Sequence, residues 1–232
     1  PNVVFADDIV IETRQSEVGV SMAVPVSLDR VLVDLHDQLA DYAAKEGQEK
    51  DPHTREQLVS QIASLCHLPV QDAEKALAED IMLSLVKQAE LDIRESLSDR
   101  LAFMDDVPQQ VIYEFVHDVI SVARPVLIHS PCLSEMDLLY VMRSKGAEYW
   151  QAIAQRRDLK TGIIDHLADT KDESTAVALL SNKAVTLHHR VMKIFTGMSR
   201  YSKMVADPLI TRSELPADLA VDLYWHVSHT LR

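Results

Sequence analysis

From about Asp106 to Ala184 the chain is a succession of short amphipathic segments, each cut off by Pro, Ser or Asp before it grows long. Apolar residues return at helical spacing within each segment, and the cuts fall at capping residues. Such a series folds as stacked helical hairpins, an architecture that binds on its surface and does no chemistry in its core. Only 5 Gly occur in 232 residues, and helix formers dominate everywhere but the start, so the expected class is all-α.

Read in order, residues 1–26 stand apart. Val3, Val4, Phe5, Ile9, Val10, Ile11, Val18, Val20, Val24 and Val26 make them β-branched and poorly helical, an extended arm or a small hairpin. From Ser27 the period changes, with Leu28, Val31, Leu32, Leu35, Leu39 and Tyr42 on one face of a leading helix over 27–45. The charged stretch 46–53, with Gly47 and Pro52, is the expected linker. Thr54 then opens a helix with Gln57 in the capping-box place and Leu58, Ile62 and Leu65 inward. Further stripes follow: Ala73, Leu77, Ile81 and Leu85; Ile93, Leu97 and Leu101; Val111, Phe115 and Val119 after Pro108; Leu187, Val191, Ile194 and Met198; and Leu219, Leu223 and Val227, the last behind a Ser213 cap. Ser134 begins another helix, and Asn182 closes the one after Asp172.

Leu68-Pro69, Val107-Pro108, Leu159-Lys160 and Leu215-Pro216 each precede an amphipathic helix, at intervals of 39, 52 and 56 residues. Such intervals hold two helices or more per unit. They suit irregular HEAT-like repeats over 54–232, an irregular α-solenoid in which each helix pair buries a face on the next.

Composition narrows the function. There are 23 Lys and Arg against 36 Asp and Glu, a net charge of −13, the wrong sign for a general phosphate-binding surface. Nucleic acid is disfavoured as a partner. Cys66 and Cys132 sit in apolar-periodic segments, outside any C-x-x-C pair, as expected of reduced thiols in the cytoplasm. No apolar run reaches the roughly 18 residues that would insert in a membrane.

Val122-Ala-Arg-Pro-Val-Leu127, Ser130, Leu133-Ser-Glu-Met-Asp-Leu138, Ala152-Ile-Ala-Gln-Arg156, Leu159, Asp165 and Leu167 follow one another in an order that resembles a bacterial family. That family, seen chiefly in alphaproteobacteria, consists of HEAT-like helical-repeat proteins catalogued as a domain of unknown function. The resemblance spans roughly 55–230 and is clearest over 120–184. Lys160 stands where the family usually has Ser. The resemblance implies a fold and a bacterial, cytosolic setting, and it supplies no reaction and no catalytic residues.

No set of residues predicts a metal, a cofactor or a nucleophile. Glu114 and His117 share a helix face, but a carboxylate-bridged metal pair needs a second copy of that motif and two further Glu. His188 and His189 are adjacent and diverge on a helix. Neither the G-x-S-x-G turn nor a glycine-rich phosphate loop occurs. Arg143, Lys145, Arg156, Arg157 and Lys160, with Trp150, form the candidate partner-binding patch; the competing reading is a structural, inward Arg156 bonded to an Asp or a helix end of the adjoining repeat, with Asp165 or Asp172 as fitting partners. The aromatic doublets Tyr149-Trp150 and Tyr224-Trp225 are candidate interface anchors. The expectation is a noncatalytic protein-interaction or regulatory module with a protein partner. The alternatives are a nucleic-acid enzyme of the DNA-glycosylase type and a phosphotransfer bundle using His117, His188 or His189. The apolar arm leaves room for a homodimer.

Overall fold

The computed structural model describes residues 5–6, 9–10, 28–44, 51–67 and 72–226. Most of the expected arm, 1–26, and most of the linker therefore lie outside the described residues, as does Val227. Strands β1 (Phe5–Ala6) and β2 (Ile9–Val10) pair antiparallel, Phe5 opposite Val10, and the rest of the described secondary structure is helical. Two compact units divide the chain, Pro1–Asp118 and Val119–Arg232.

The first unit contains α1 (Leu28–Ala43), α2 (Pro52–Ser64), a 3-10 turn (Leu65–His67), α3 (Asp72–Gln88), α4 (Leu91–Leu101) and α5 (Gln109–His117). Helix α1 packs on α2 and α3, α2 on α4, and α3 on α5, around Leu39, Leu58, Ile62, Met82, Leu85, Ile93, Leu97 and Phe115. Helix α2 starts two residues before Thr54, because Asp51 accepts the N–H groups of His53 and Thr54 and Pro52 fits a first turn. Two inward residues need correction. Leu77 is 44% exposed, since α3 buries the neighbouring stripe of Ala78, Ile81, Met82 and Leu85. Val119 is 49% exposed, because α5 ends at His117 and Val119 becomes the N-cap of the next helix.

The second unit is α6 (Ile120–His129), α7 (Glu135–Ser144), α8 (Ala147–Ala154), α9 (Thr161–Asp169), α10 (Glu173–Ser181), α11 (His189–Ser199), α12 (Lys203–Ile210) and α13 (Ala217–His226). Helices of 8 to 11 residues are unstable alone, so packing must hold them. They pack as two layers. Helices α6, α8, α10 and α12 lie side by side in one, α7, α9, α11 and α13 in the other, and each α-hairpin joins the two. Even-numbered helices begin 27, 26 and 30 residues apart, and odd-numbered ones 26, 28 and 28. The hairpins stack as expected, with a repeat shorter than the roughly 40 residues usual for HEAT units.

Caps set most boundaries. Ser134 and Asp137 form a reciprocal capping box on α7, and Asp172 caps α10 through the Thr175 N–H at 2.7 Å. Lys160 opens α9 with no side-chain cap, in keeping with the missing Ser. Ser213 does not cap α13: it bonds Glu214, and the Pro216 carbonyl accepts the first helical N–H, from Ala220.

Candidate functional site

The last carbonyls of a helix have no partner inside it, and in a stacked array these ends are buried against the next repeat. The second unit answers this with a series of side chains. Leu127 would normally bond the N–H four residues on, but that residue is Pro131, which has none. Arg156 supplies the missing donor: Nη1 bonds Leu127 O and Nη2 bonds Ser130 O, both at 2.9 Å. One repeat further, Asn182 Nδ2 bonds Ala154 O at 2.9 Å and Arg156 O at 2.6 Å. In the next, Arg212 bonds Asn182 O at 2.9 Å and Val185 O at 2.6 Å. The ends of α6, α8 and α10 are thus each bonded by the repeat that follows.

Both arginines are almost wholly buried, at 2% and 4% exposure, and each has an acidic residue two positions on. Asp158 Oδ1 lies 3.3 Å from Arg156 Nε, and Glu214 Oε1 lies 3.1 Å from Arg212 Nη2. Burial pushes the Arg212 pKa down, and the Glu214 charge works against that shift. Burial also resists ionisation of Glu214. Its own backbone N–H, the Arg212 charge and the Leu187 N–H nevertheless hold its carboxyl below the usual range.

The expected patch is therefore split. Arg156 is inside the protein, bonded to helix ends rather than to Asp165 or Asp172. Trp150 is half-buried and donates from Nε1 to Met142 O at 2.9 Å, closing the last turn of α7. Arg143 and Lys145 lie at the end of α7, while Arg157 and Lys160 lie beyond the far end of α8, whose 8 residues span about 12 Å. Arg143, Arg157 and Lys160 are exposed, with Lys160 Nζ 3.7 Å from Glu135; Lys145 sits 5.0 Å above the Tyr149 ring. Of the aromatic doublets, Tyr224 and Trp225 are exposed and Tyr149 and Trp150 half-buried.

The histidines face acidic or carbonyl oxygens. His117 Nδ1 is 2.8 Å from Tyr113 O, His188 Nε2 is 3.2 Å from Asp165, and His189 Nε2 is 3.2 Å from Asp218. The bond from His189 holds the Asp218 carboxyl below its ordinary range. Arg190 takes Asp165 and, through two bonds, Asp169, tying α11 to α9. Glu114 lies 3.7 Å from Lys87, and among the described residues no group of three His, Cys, Asp or Glu is placed to hold a metal.

Residues 122–232 match the model of the bacterial family DUF2336. That family is described as uncharacterised protein conserved in bacteria. No curated protein and no solved structure matches the chain. The DUF2336 region takes in nearly all of the second unit, including every bond of the Arg156, Asn182 and Arg212 series.

Charge also divides at the unit boundary. Residues 1–118 carry 9 Lys and Arg against 24 Asp and Glu, whereas residues 119–232 carry 14 against 12. The acidity of the chain thus belongs to the first unit, and the DUF2336 region is close to neutral. Sequence reasoning missed Arg212 and the Asn182 side chain. The signal was there: Arg-x-Asp at 156–158 returns as Arg-x-Glu at 212–214, with Asn182 between them. Among the described residues no helix is long and apolar enough to cross a membrane.

Proposed function

We propose that the chain is a noncatalytic protein-interaction or regulatory module, and that the two-layer stack of the second unit is its working surface. The observation that carries this reading is a rigid frame bearing large exposed side chains. Bonds from two buried arginines and a half-buried asparagine join successive repeats, while Met136, Tyr140, Tyr201, Met204, Val221 and Trp225 are each more than half exposed. A preformed surface loses little conformational freedom on binding, and exposed aromatic and methionine side chains are the usual anchors of an interface.

The alternatives fit less well. A DNA-glycosylase type of enzyme needs a strongly basic face, and here basic and acidic groups are interleaved at 14 against 12. Phosphotransfer through His188 or His189 would bring a phosphoryl group up to Asp165 or Asp218, whose charges repel it. The cytoplasm is the compartment this reading favours, since Cys66 and Cys132 are thiols and neither is in a disulfide. A homodimer remains a proposal with its own test, the mass by light scattering of the chain with and without residues 1–26.

The test is capture from native bacterial lysate on the immobilised chain, identification by mass spectrometry, and titration calorimetry with each purified candidate. A saturable complex of fixed stoichiometry is expected. A chain that holds no protein but gains acid-labile phosphate on incubation with a kinase would replace this reading with the phosphotransfer one.

A further inference from the structure

The turns that lead into the even-numbered helices of the second unit form one edge of the stack. Helices α8, α10 and α12 are neighbours in one layer, and their C-terminal ends adjoin, because Asn182 reaches Ala154 O and Arg212 reaches Asn182 O. Their starts therefore adjoin too, and the Glu173 carboxylate at the head of α10 accepts a hydrogen bond from Ser202, the N-cap of α12. Three turns come into line: Ser144 to Gly146, Thr170 to Asp172, and Arg200 to Lys203.

Each turn carries a cation. Lys145 lies over the Tyr149 ring, Lys171 is exposed, and Lys203 is exposed beside Tyr201 and Met204. Lys145, Lys171 and Tyr201 are 26 and 30 residues apart, the same steps that separate Arg156, Asn182 and Arg212, so they hold equivalent places in successive repeats. Tyr201 is 93% exposed and Met204 61%, which gives the edge an apolar element. Its acidic groups are Glu148, Asp169, Asp172 and Glu173. Asp169 is held by Arg190, Asp172 caps its own helix, and Glu173 accepts from Ser202. Arg200 is bonded to Asp222 and adds little charge.

Lys171 is also the single non-glycine residue with positive φ among the described residues, at 52°. It follows the C-cap of α9, a position where glycine is favoured because a Cβ is strained there. Lys171 therefore carries a conformational cost that glycine would not, and it sets the lysine side chain at the tip of the turn.

We propose that this edge, Lys145, Lys171 and Lys203 with Tyr201, docks an acidic segment of a protein partner. The proposal rests on the interaction-module reading above and names its partner class. Charge complementarity argues for it: three spaced cations flanked by an aromatic suit a short Asp- and Glu-bearing peptide. A nucleic acid, with a phosphate on every nucleotide, would meet too few cations here.

The test uses the full chain and a fluorescein-labelled peptide of repeating Asp-Leu-Glu, followed by fluorescence anisotropy at two salt concentrations. Saturable binding is expected, weakening as salt rises. Replacing Lys145, Lys171 and Lys203 together by Glu raises Kd about tenfold or more. Lys171→Gly alone raises Kd several-fold while the melting temperature stays level or rises, a combination that a purely structural lysine does not give. Arg157→Glu with Lys160→Glu, on the opposite edge, leaves Kd unchanged. The proposal is overturned if the peptide does not bind, if the opposite-edge variant weakens binding equally, or if a single-stranded oligonucleotide of the same charge binds more tightly. A captured protein partner whose affinity is untouched by the triple variant overturns this edge alone and leaves the interaction module standing. A chain that binds neither peptide nor protein fails both.

Discussion

Arg212 reproduces Arg156 two repeats further along the chain. Each guanidinium is buried, each bonds two carbonyl oxygens at the end of a preceding even-numbered helix, and each has a carboxylate two positions on. Asn182, in the repeat between them, bonds the Ala154 and Arg156 carbonyls at the end of α8, so the three residues form one continuous series through the layer.

Removing a member of that series should be costly. Arg156→Ala leaves Leu127 O and Ser130 O buried without donors, and we expect a loss of about 3 kcal/mol, measured by urea unfolding. Arg156→Lys should recover less than half of this, because one ammonium lacks the planar fork that reaches two carbonyls. A loss under about 1 kcal/mol for the alanine variant would mean that water replaces the guanidinium.

Stability of the second unit should fall in acid partly through Glu214. Its carboxyl is held below the ordinary range in the folded chain, so its contribution is complete above the unfolded glutamate pKa of about 4.3. That contribution disappears as pH drops through the lowered folded value. Glu214→Gln should therefore flatten the acid limb of a stability profile below about pH 5 and leave its slope near neutrality unchanged.

At the other end of the scale, Tyr42 in the first unit should resist deprotonation. Burial, then its 2.6 Å hydrogen bond to Asp92 and that carboxylate's charge, push its pKa up to about 12. The stabilisation is present below the ordinary tyrosine value near 10 and is lost as pH rises toward about 12. Ultraviolet titration of the wild type and Tyr42→Phe should show the missing phenolate step at the alkaline end, and the variant should lose about 1 kcal/mol at neutral pH.

Gly197 offers the opposite result. It lies on the exposed side of α11, and a Cβ there would meet nothing within 4 Å. Gly197→Ala should stabilise the chain by about 0.5–1 kcal/mol, seen as a higher urea midpoint with an unchanged slope.

The helices were legible because their apolar spacing and caps are local. Asp172, Ser134 and Asn182 end or open helices where the sequence places them. The interval of 56 residues proved to be two repeats, enclosing α9 to α12 between Lys160 and Pro216, whereas that of 52 begins with α5, which belongs to the first unit. Arg156 and Trp150 were harder. A structural, inward Arg156 was legible, with an Asp or a helix end as its partner, but only the fold reveals that Pro131, 25 residues earlier, leaves the carbonyl it fills. Lys171 was invisible for a similar reason, since the sign of φ at a helix end depends on where the next helix packs.

Among the described residues of the DUF2336 region, the side-chain bonds between helices named above span 21 to 30 residues along the chain, from Arg190 to Asp169 at the short end to Arg212 to Asn182 at the long. Low contact order of this kind favours rapid folding. A nascent chain could close each hairpin onto the last as it leaves the ribosome, with Arg156 fastening α6 before α9 has been translated.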